Sequence, residues 1–305
     1  MYHRQPVFSN TPLQKAVNLS YYLIQDDIVS YLDSIAEGST SAYPSLTPDV
    51  IADLEISLPP LSEQEVIASI LSSLDDKIDL LQRQNKTLEK LAEMLFRQSF
   101  TEESCPVGKV SDLIEILSGF AFKSTDFREN GSYRLVTIKN VQDGFLDLST
   151  TDLLQELPEG MPTYCQLQKG DILLSLTGNV GRCCLVTEDG LLLNQRVAKL
   201  EPKEPRDFAF AYTFFRLSST RQQLEELAKG TAQPNLSPIE TKDLEMPVPQ
   251  TERLESFAVR ANALAEKILD NYLHIRTLTR MRDTLLPKLM SGEVRVKPSN
   301  EMKEG

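Results

Sequence analysis

The chain has no tryptophan, only two histidines, four cysteines, and fewer basic than acidic side chains. Each shortage excludes something. His3 and His274 are the only imidazoles, and neither has a nucleophile, a metal set or an orienting partner spaced around it, so hydrolase triads and zinc sites are not expected. Cys105, Cys165, Cys183 and Cys184 form no CxxC pair and read as small buried hydrophobes in a reducing compartment. Cys183 and Cys184, neighbours in an expected strand, should point to opposite faces. No apolar run approaches the ~20 residues that span a bilayer. Residues 1–10 hold no apolar secretion-signal core, and a cytoplasmic location without membrane attachment is expected. Gly-rich cofactor fingerprints and the Asn-Pro-Pro-aromatic motif of adenine methyltransferases are missing. Thr177 to Gly181 lacks the Lys-Ser/Thr ending of a phosphate loop and reads as a hairpin turn. Glu201-Pro202-Lys203 resembles the end of a nuclease motif, lacks its Pro-Asp partner, and reads as exposed charge.

The net charge is −12, distributed as −5 over residues 1–61, −4 over 62–103, −5 over 104–249 and +2 over 250–305. A protein that grips DNA alone through a basic surface is therefore not expected. Any DNA contact must come from local clusters or from a partner.

What is present begins with a repeat. Pro44 to Pro59 (PSLTPDVIADLEISLP) and Pro234 to Pro249 (PNLSPIETKDLEMPVP) align without a gap, sharing Pro, Leu, Pro, the Asp-Leu-Glu triplet and the closing Pro. Upstream, Leu32, Ile35, Ala36 and Gly38 match Leu224, Leu227, Ala228 and Gly230, and Tyr22 and Leu23 match Phe214 and Phe215. Each copy predicts the same plan. An amphipathic helix ends at a Gly cap, a short helix opens at Thr47 or Ser237 with Pro next, a short strand follows (Leu54–Leu58, Leu244–Val248), and a long helix comes last.

The first long helix carries Ile67, Leu74, Leu81, Leu88 and Leu95 every seven residues, with Leu71, Ile78, Asn85 and Ala92 in the second seam. Ser62 and Glu65 offer it a capping box. The second carries Phe257, Leu264, Leu278 and Leu285, interrupted by Asn271, with Ala261, Ile268, Ile275 and Arg282 beside them. Each helix would be roughly 55 Å long at 1.5 Å per residue. With a globular segment between them they can return antiparallel, bringing Asn85 and Asn271 within about a turn. The two asparagines either fix register or are tolerated, partly solvated polar residues.

Residues 104–250 read as a compact α+β domain. Val110–Leu117 is helical or mixed. Strands are expected over Tyr133–Ile138, Ile172–Leu176, Cys183–Thr187, Leu191–Leu193 and Val197–Leu200, and helices over Phe208–Phe215 and Arg221–Ala228. Polar clusters sit at the element ends: Lys123 and Ser124; Lys139 and Asn140; Thr177, Asn179 and Arg182; Gln195 and Arg196; Thr231, Gln233 and Asn235. Such side chains read base edges or hold phosphates. Asn, Thr and Gly also simply make turns.

The long-helix segments name a family. Leu58-Pro59-Pro60-Leu61-Ser62-Glu63-Gln64, Ile70 to Ile78 and Asn85 to Glu89 resemble the central conserved helix of Type I restriction-modification DNA specificity subunits, and Arg282 to Glu293 resembles their distal conserved helix. Ser118 to Lys123, Gly170 to Gly178, Leu193 to Val197 and Gly230 to Leu236 resemble motifs within their recognition domains. The resemblance implies globular α/β target-recognition domains joined by two long helices in an antiparallel coiled coil, which acts as a ruler between two half-sites of double-stranded DNA. It implies docking of modification subunits that use S-adenosylmethionine and of restriction subunits driven by ATP with Mg, with no cofactor in this chain. The divisions it implies are 1–60, the end of a first recognition domain; 61–103, the central helix; 104–250, the second recognition domain; 251–291, the distal helix; and 292–305, a flexible tail. Since only residues 1–60 precede the first long helix, an N-terminally truncated first domain is expected, and with it self-association of two chains. A DNA reader without catalysis of its own, a coiled-coil scaffold that does not read DNA, and an independent enzyme are the three functions weighed. The loop clusters favour the first.

Overall fold

The computed structural model describes residues 3–5, 19–38, 45–54, 56–100, 105–228 and 234–296. The chain divides into two compact units, residues 1–81 with 274–305, and residues 82–273.

In the first unit, strands β1 (His3–Gln5) and β2 (Ile56–Leu58) pair antiparallel. Helices α1 (Asp26–Glu37) and α2 (Pro48–Ala52) lie between them in sequence. The long helix α3 (Leu61–Ser99) begins here, and the end of α8 (Thr251–Ser291) returns here. Its main apolar cluster is Tyr21, Ile67, Leu71, Leu286, Leu289 and Met290. The helix segments run antiparallel: Arg295 pairs with Glu63 at 2.7 Å and Arg282 with Asp75 at 2.8 Å, so residue numbers rise on one as they fall on the other. Arg282, a charge in an expected seam position, is accommodated by that ion pair. Arg295 and Val296 are tied to Glu63, so the expected flexible tail is ordered through residue 296; the remainder lies outside the described residues.

The second unit holds two four-stranded sheets and their supporting helices. One sheet orders β4 (Ile114–Ser118), β11 (Val197–Pro202), β8 (Ile172–Ser175) and β9 (Cys183–Leu185), all antiparallel. The other orders β6 (Leu153–Leu154), β5 (Tyr133–Val136), β10 (Leu191–Leu193) and β7 (Gln166–Leu167), with β5 and β10 parallel. A third pair joins β3 (Val107–Lys109) to β12 (Glu245–Pro247). Strand β8 is apolar at successive positions because both faces of its sheet are covered. Ile172 and Leu174 face the cluster containing helix α5 (Phe208–Arg216), while Leu173 faces the other sheet. Cys183 and Cys184 divide in the same way, as the alternation of a strand requires. All four cysteines are buried. Burial pushes the Cys183 thiol up to about 12, which suits an inert core position.

Helix α5 and the following α6 (Ser218–Leu227) pack beneath this sheet. Phe210 and Phe214 of α5 meet Phe96 and Phe100, and Phe257 of α8 closes the aromatic cluster, with ring centroids 5.0 to 6.3 Å apart. Fully burying each such ring stabilises by roughly 1.5–3 kcal/mol. Here too the long helices run antiparallel, Asn85 meeting Asn271 and Ser99 meeting Arg253.

The structure departs from several expectations. Helix α3 opens at Leu61, with the Pro60 carbonyl accepting from the Glu63 and Gln64 N–H groups, so Ser62 lies inside the first turn and not at the cap. Gly38 closes α1 in right-handed conformation, needing none of glycine's freedom. The mixed segment resolves into a one-turn helix, α4 (Val110–Leu113), followed by β4. In the seams, Ile67, Leu81, Asn85, Ile268 and Asn271 are buried, whereas Leu74, Leu88, Leu95, Leu264, Leu278 and Leu285 are half-buried. Leu71, Ile78 and Ala92 of the expected second seam and Ala261 are buried with them, and Phe96 and Ala265, outside either expected seam, are buried too, because the recognition domain and the terminal elements pack on these helices. The paired short helices form as expected, α2 and α7 (Pro238–Lys242), each with Pro in its first turn.

Candidate nucleic-acid interface

Sheet register decides which loops meet. Ser118 at the end of β4 faces Ala198, Val197 at the start of β11 faces Ser175 at the end of β8, and Leu174 faces Cys183 at the start of β9. In the neighbouring sheet Leu193 at the end of β10 is in register with Val136 at the end of β5. Four chain segments therefore emerge at one end of the two sheets, after β4, between β8 and β9, between β10 and β11, and after β5. They are bound to each other: the Phe120 N–H donates to the Leu193 carbonyl at 2.9 Å, Gln195 N–H to the Phe120 carbonyl at 2.9 Å, and Asn194 N–H to the Val136 carbonyl at 3.1 Å. The Leu176 N–H donates to the Arg196 carbonyl at 3.0 Å, and Leu236 N–H to the Leu176 carbonyl at 2.7 Å. Gly119 makes this closure possible. A Cβ there would sit 2.3 Å from the Asn194 carbonyl oxygen, so any side chain would force the two loops apart.

Of the candidate residues, Lys123, Ser124, Lys139, Asn179, Gln195, Arg196 and Asn235 are exposed on these loops, and Thr177 and Arg182 are half-buried. Thr177 and Asn235 form an isolated β-bridge, which brings the fold's late segment to the same end. Among the described residues the buried Thr177 Oγ1 has no partner. Arg182 donates from its guanidinium to Gln142 Oε1, and its backbone N–H to Ser175 Oγ at 3.0 Å. Thr231 and Gln233 lie outside the described residues. Asn140 is a correction. It is 3% exposed, its Oδ1 accepts from the Thr137 N–H at 2.8 Å, and its amide donates to the Asp147 and Thr150 carbonyls at 2.9 and 2.8 Å. With those bonds made, it anchors its own loop and has no edge left to offer a base. Four basic side chains, Lys123, Lys139, Arg182 and Arg196, share this end of the domain although the chain is acidic.

Residues 2–90 and 103–279 match the Type I restriction modification DNA specificity domain family. The chain belongs to that family. It is 27% identical over 302 residues to the Type I restriction enzyme MjaVIII specificity subunit of Methanocaldococcus jannaschii, covering 89% of this chain and 69% of the relative. It is 23% identical over 349 residues to the HindI specificity subunit of Haemophilus influenzae, covering 89% and 76%. The crystal structure of the Type I restriction-modification S subunit from M. genitalium is similar in fold, with a TM-score of 0.54 at 20% identity, covering 92% of this chain and 74% of that one.

In this specificity-domain chain the asparagines of the helix pair bond to each other, while the buried Asn271 Oδ1 is left without a partner among the described residues. The Asn271 amide donates to Asn85 Oδ1 at 2.8 Å, and the Asn85 amide to the Ile268 carbonyl at 3.3 Å, with the two residues 0% and 2% exposed. Of the two readings open in the sequence, buried mutual pairing favours register over tolerated solvation. The reading of the sequence missed a second polar contact, at Arg216. Its guanidinium pairs with Glu89 of α3 at 2.8 Å and with Asp143 of the 143–144 turn, and donates to the Cys183 carbonyl at 3.4 Å. Tyr212 donates to Glu89 at 3.2 Å, and burial holds its phenol well above its ordinary pKa, so it remains a donor. Asp143 also pairs with Arg221 at 3.1 Å. Residues from four distant stretches meet here, and no local spacing announces them. Gln142, the partner of Arg182, was missed for the same reason. Among the described residues no group of three or more His, Cys, Asp and Glu side chains is placed to hold a metal ion, and no helix is long and apolar enough to cross a membrane.

Proposed function

We propose that this chain is the DNA-reading subunit of a Type I restriction-modification complex, and that the loop end of residues 118–124, 137–142, 176–182, 194–196 and 234–236 reads one half of a split double-stranded target. The observation that carries the reading is the convergence of those loops, with their basic and amide side chains, on one end of a rigid double sheet. Lys123, Lys139 and Ser124 suit phosphate contacts, and Gln195, Arg196 and Asn179 suit base edges. The long helices dock modification subunits, which bind S-adenosylmethionine and methylate adenine, and restriction subunits with ATP and Mg join them. Catalysis then belongs to those partners, in the cytoplasm, and their surfaces supply much of the phosphate grip that a chain of charge −12 does not. A bare coiled-coil scaffold leaves the loop end without a purpose.

The test is co-expression with modification subunits in a host without adenine methylation, followed by genome-wide mapping of methylated adenine. A two-part motif is the expected result. Its loss on substituting Gln195 and Arg196 by Ala, with the complex still assembled, assigns the reading to this loop end. Unchanged motifs in that variant overturn the assignment. A symmetric motif, with two copies of this chain per complex by mass, would be the mark of self-association.

A further inference from the structure

We propose that the Glu89–Arg216–Asp143 network sets the angle at which the recognition domain stands on its helices, and that it thereby selects the spacing of the split target and not its bases. The inference rests on the split-target reading above. Two of the contacts that join the domain to the helix pair within residues 82–273 differ in kind, beside the packing of Leu88, Leu95, Ala261, Ala265 and Ile268 into the domain core and the Arg206–Glu255 pair at 3.5 Å. One is apolar, Phe96, Phe100 and Phe257 against Phe210 and Phe214. Apolar contact is non-directional, so this packing by itself sets no sharp angle. The other attachment lies seven residues away along α3, about 10 Å at 1.5 Å per residue. There Glu89 receives both Arg216 and Tyr212 from one face of α5, and Arg216 carries the link onward to Asp143 in a loop of the domain. A planar guanidinium between two carboxylates is directional, so this second point resists rotation about the first.

The surroundings are shaped to it. The side chains of Arg216 and Glu89 are 16% and 20% exposed, so water competes weakly for them. Gly144, at φ +92°, lies against the network. A Cβ at that position would come 2.9 Å from the Arg216 guanidinium and 3.2 Å from the Tyr272 hydroxyl, so the turn approaches this closely only as glycine. The 143–144 turn is also fastened to the sheet, the Gly144 N–H donating to the Cys183 carbonyl at 3.0 Å. Since β9 starts at Cys183, next to Arg182 of the loop end, the network reaches to within one residue of the surface proposed to read DNA. Its members lie outside the segments assigned to reading DNA, the nearest being Asp143, the residue after Gln142.

The experiment uses the purified complex with modification subunits and a series of duplexes that differ only in spacer length or only in one half-site base. The variants are Glu89→Met with Arg216→Met, which removes both charges of the buried pair while Asp143 keeps Arg221, and the isosteric Glu89→Gln. The wild-type complex is expected to prefer one spacer by about tenfold or more, and the double variant to reduce that to about twofold with base preference unchanged. Glu89→Gln is expected to move in the same direction by less, and it carries the test should the double variant not fold. A spacer preference as sharp as wild type, or an altered base preference with the spacer preference kept, overturns the proposal. A wild-type complex that recognises one contiguous site would instead overturn the split-target reading, and this inference with it.

Discussion

The two units solve the same problem with the same polar chemistry at positions the repeat does not relate. In the first, Tyr21 donates to Asp75 of α3, which also receives Arg282 of α8 at 2.8 Å. In the second, Tyr212 donates to Glu89 of α3, which also receives Arg216 of α5. Both are a tyrosine and an arginine on one carboxylate of the same helix. They are not copies: the repeat places Ala265 opposite Asp75 and Thr279 opposite Glu89. The repeat keeps the Pro, Leu and Asp-Leu-Glu frame, which serves packing and chain direction, while each polar contact belongs to one unit alone. Apolar packing tolerates exchange of similar shapes, whereas a buried ion pair requires both partners in one geometry.

Four measurements sharpen or break this comparison. Truncating the aromatic anchor of the second unit should have the largest effect: Phe257→Ala is expected to cost about 3–5 kcal/mol in urea denaturation, against about 2–5 for Leu71→Ala in the first unit. A cost near zero for Phe257 would remove the aromatic cluster as an anchor. Next come the asparagines. Asn271→Leu should cost about 1–3 kcal/mol by leaving Asn85 buried without its partner, and the Asn85→Leu/Asn271→Leu double variant should cost less than the sum of the singles. Additive costs would mean the pair is not coupled. A smaller difference separates the repeated caps. The Ser237 hydroxyl accepts from the Ile239 N–H at 3.2 Å, whereas Thr47 makes no side-chain cap bond. Ser237→Ala is expected to cost about 1 kcal/mol and Thr47→Ala only a few tenths, and equal costs would break the distinction.

The smallest effect is a titration. Burial, then the bond to Asp75, holds the Tyr21 phenol up at about 12. Between its ordinary value of about 10 and that value the folded state binds the proton more tightly than the unfolded state. The contribution to stability is therefore complete below that window and is lost as pH rises through it. Asp75→Asn should lower the apparent pKa of this phenol, followed by ultraviolet phenolate absorbance. An unmoved titration would detach Tyr21 from Asp75.

Much of the fold was legible beforehand because its determinants are local or periodic. The seven-residue recurrence from Ile67 to Leu95 predicts one helix, and α3 runs unbroken through it. The doubled Pro-Leu-Pro frame predicts paired short helices, and α2 and α7 are there. Alternation predicts opposite faces for Cys183 and Cys184, and two separate clusters receive them. The candidate loops were legible as polar ends of strands, and all but one of the described candidates lie exposed or half-buried at the loop end. Asn140 is that one, since an asparagine that anchors a turn and one that reads a base look alike in sequence.

By itself the sequence determined the element types, the repeat, the helix seams and the membership of loops in a polar set, because each follows from spacing along the chain. Tertiary structure alone decided that β4, β8, β9, β10 and β5 present those loops at one end, that Asn85 meets Asn271 in a dry seam, and that Glu89, Asp143 and Arg216 meet at all. Sheet register and helix crossing bring together residues separated by 54 to 127 positions or more, and no local periodicity encodes a contact of that range.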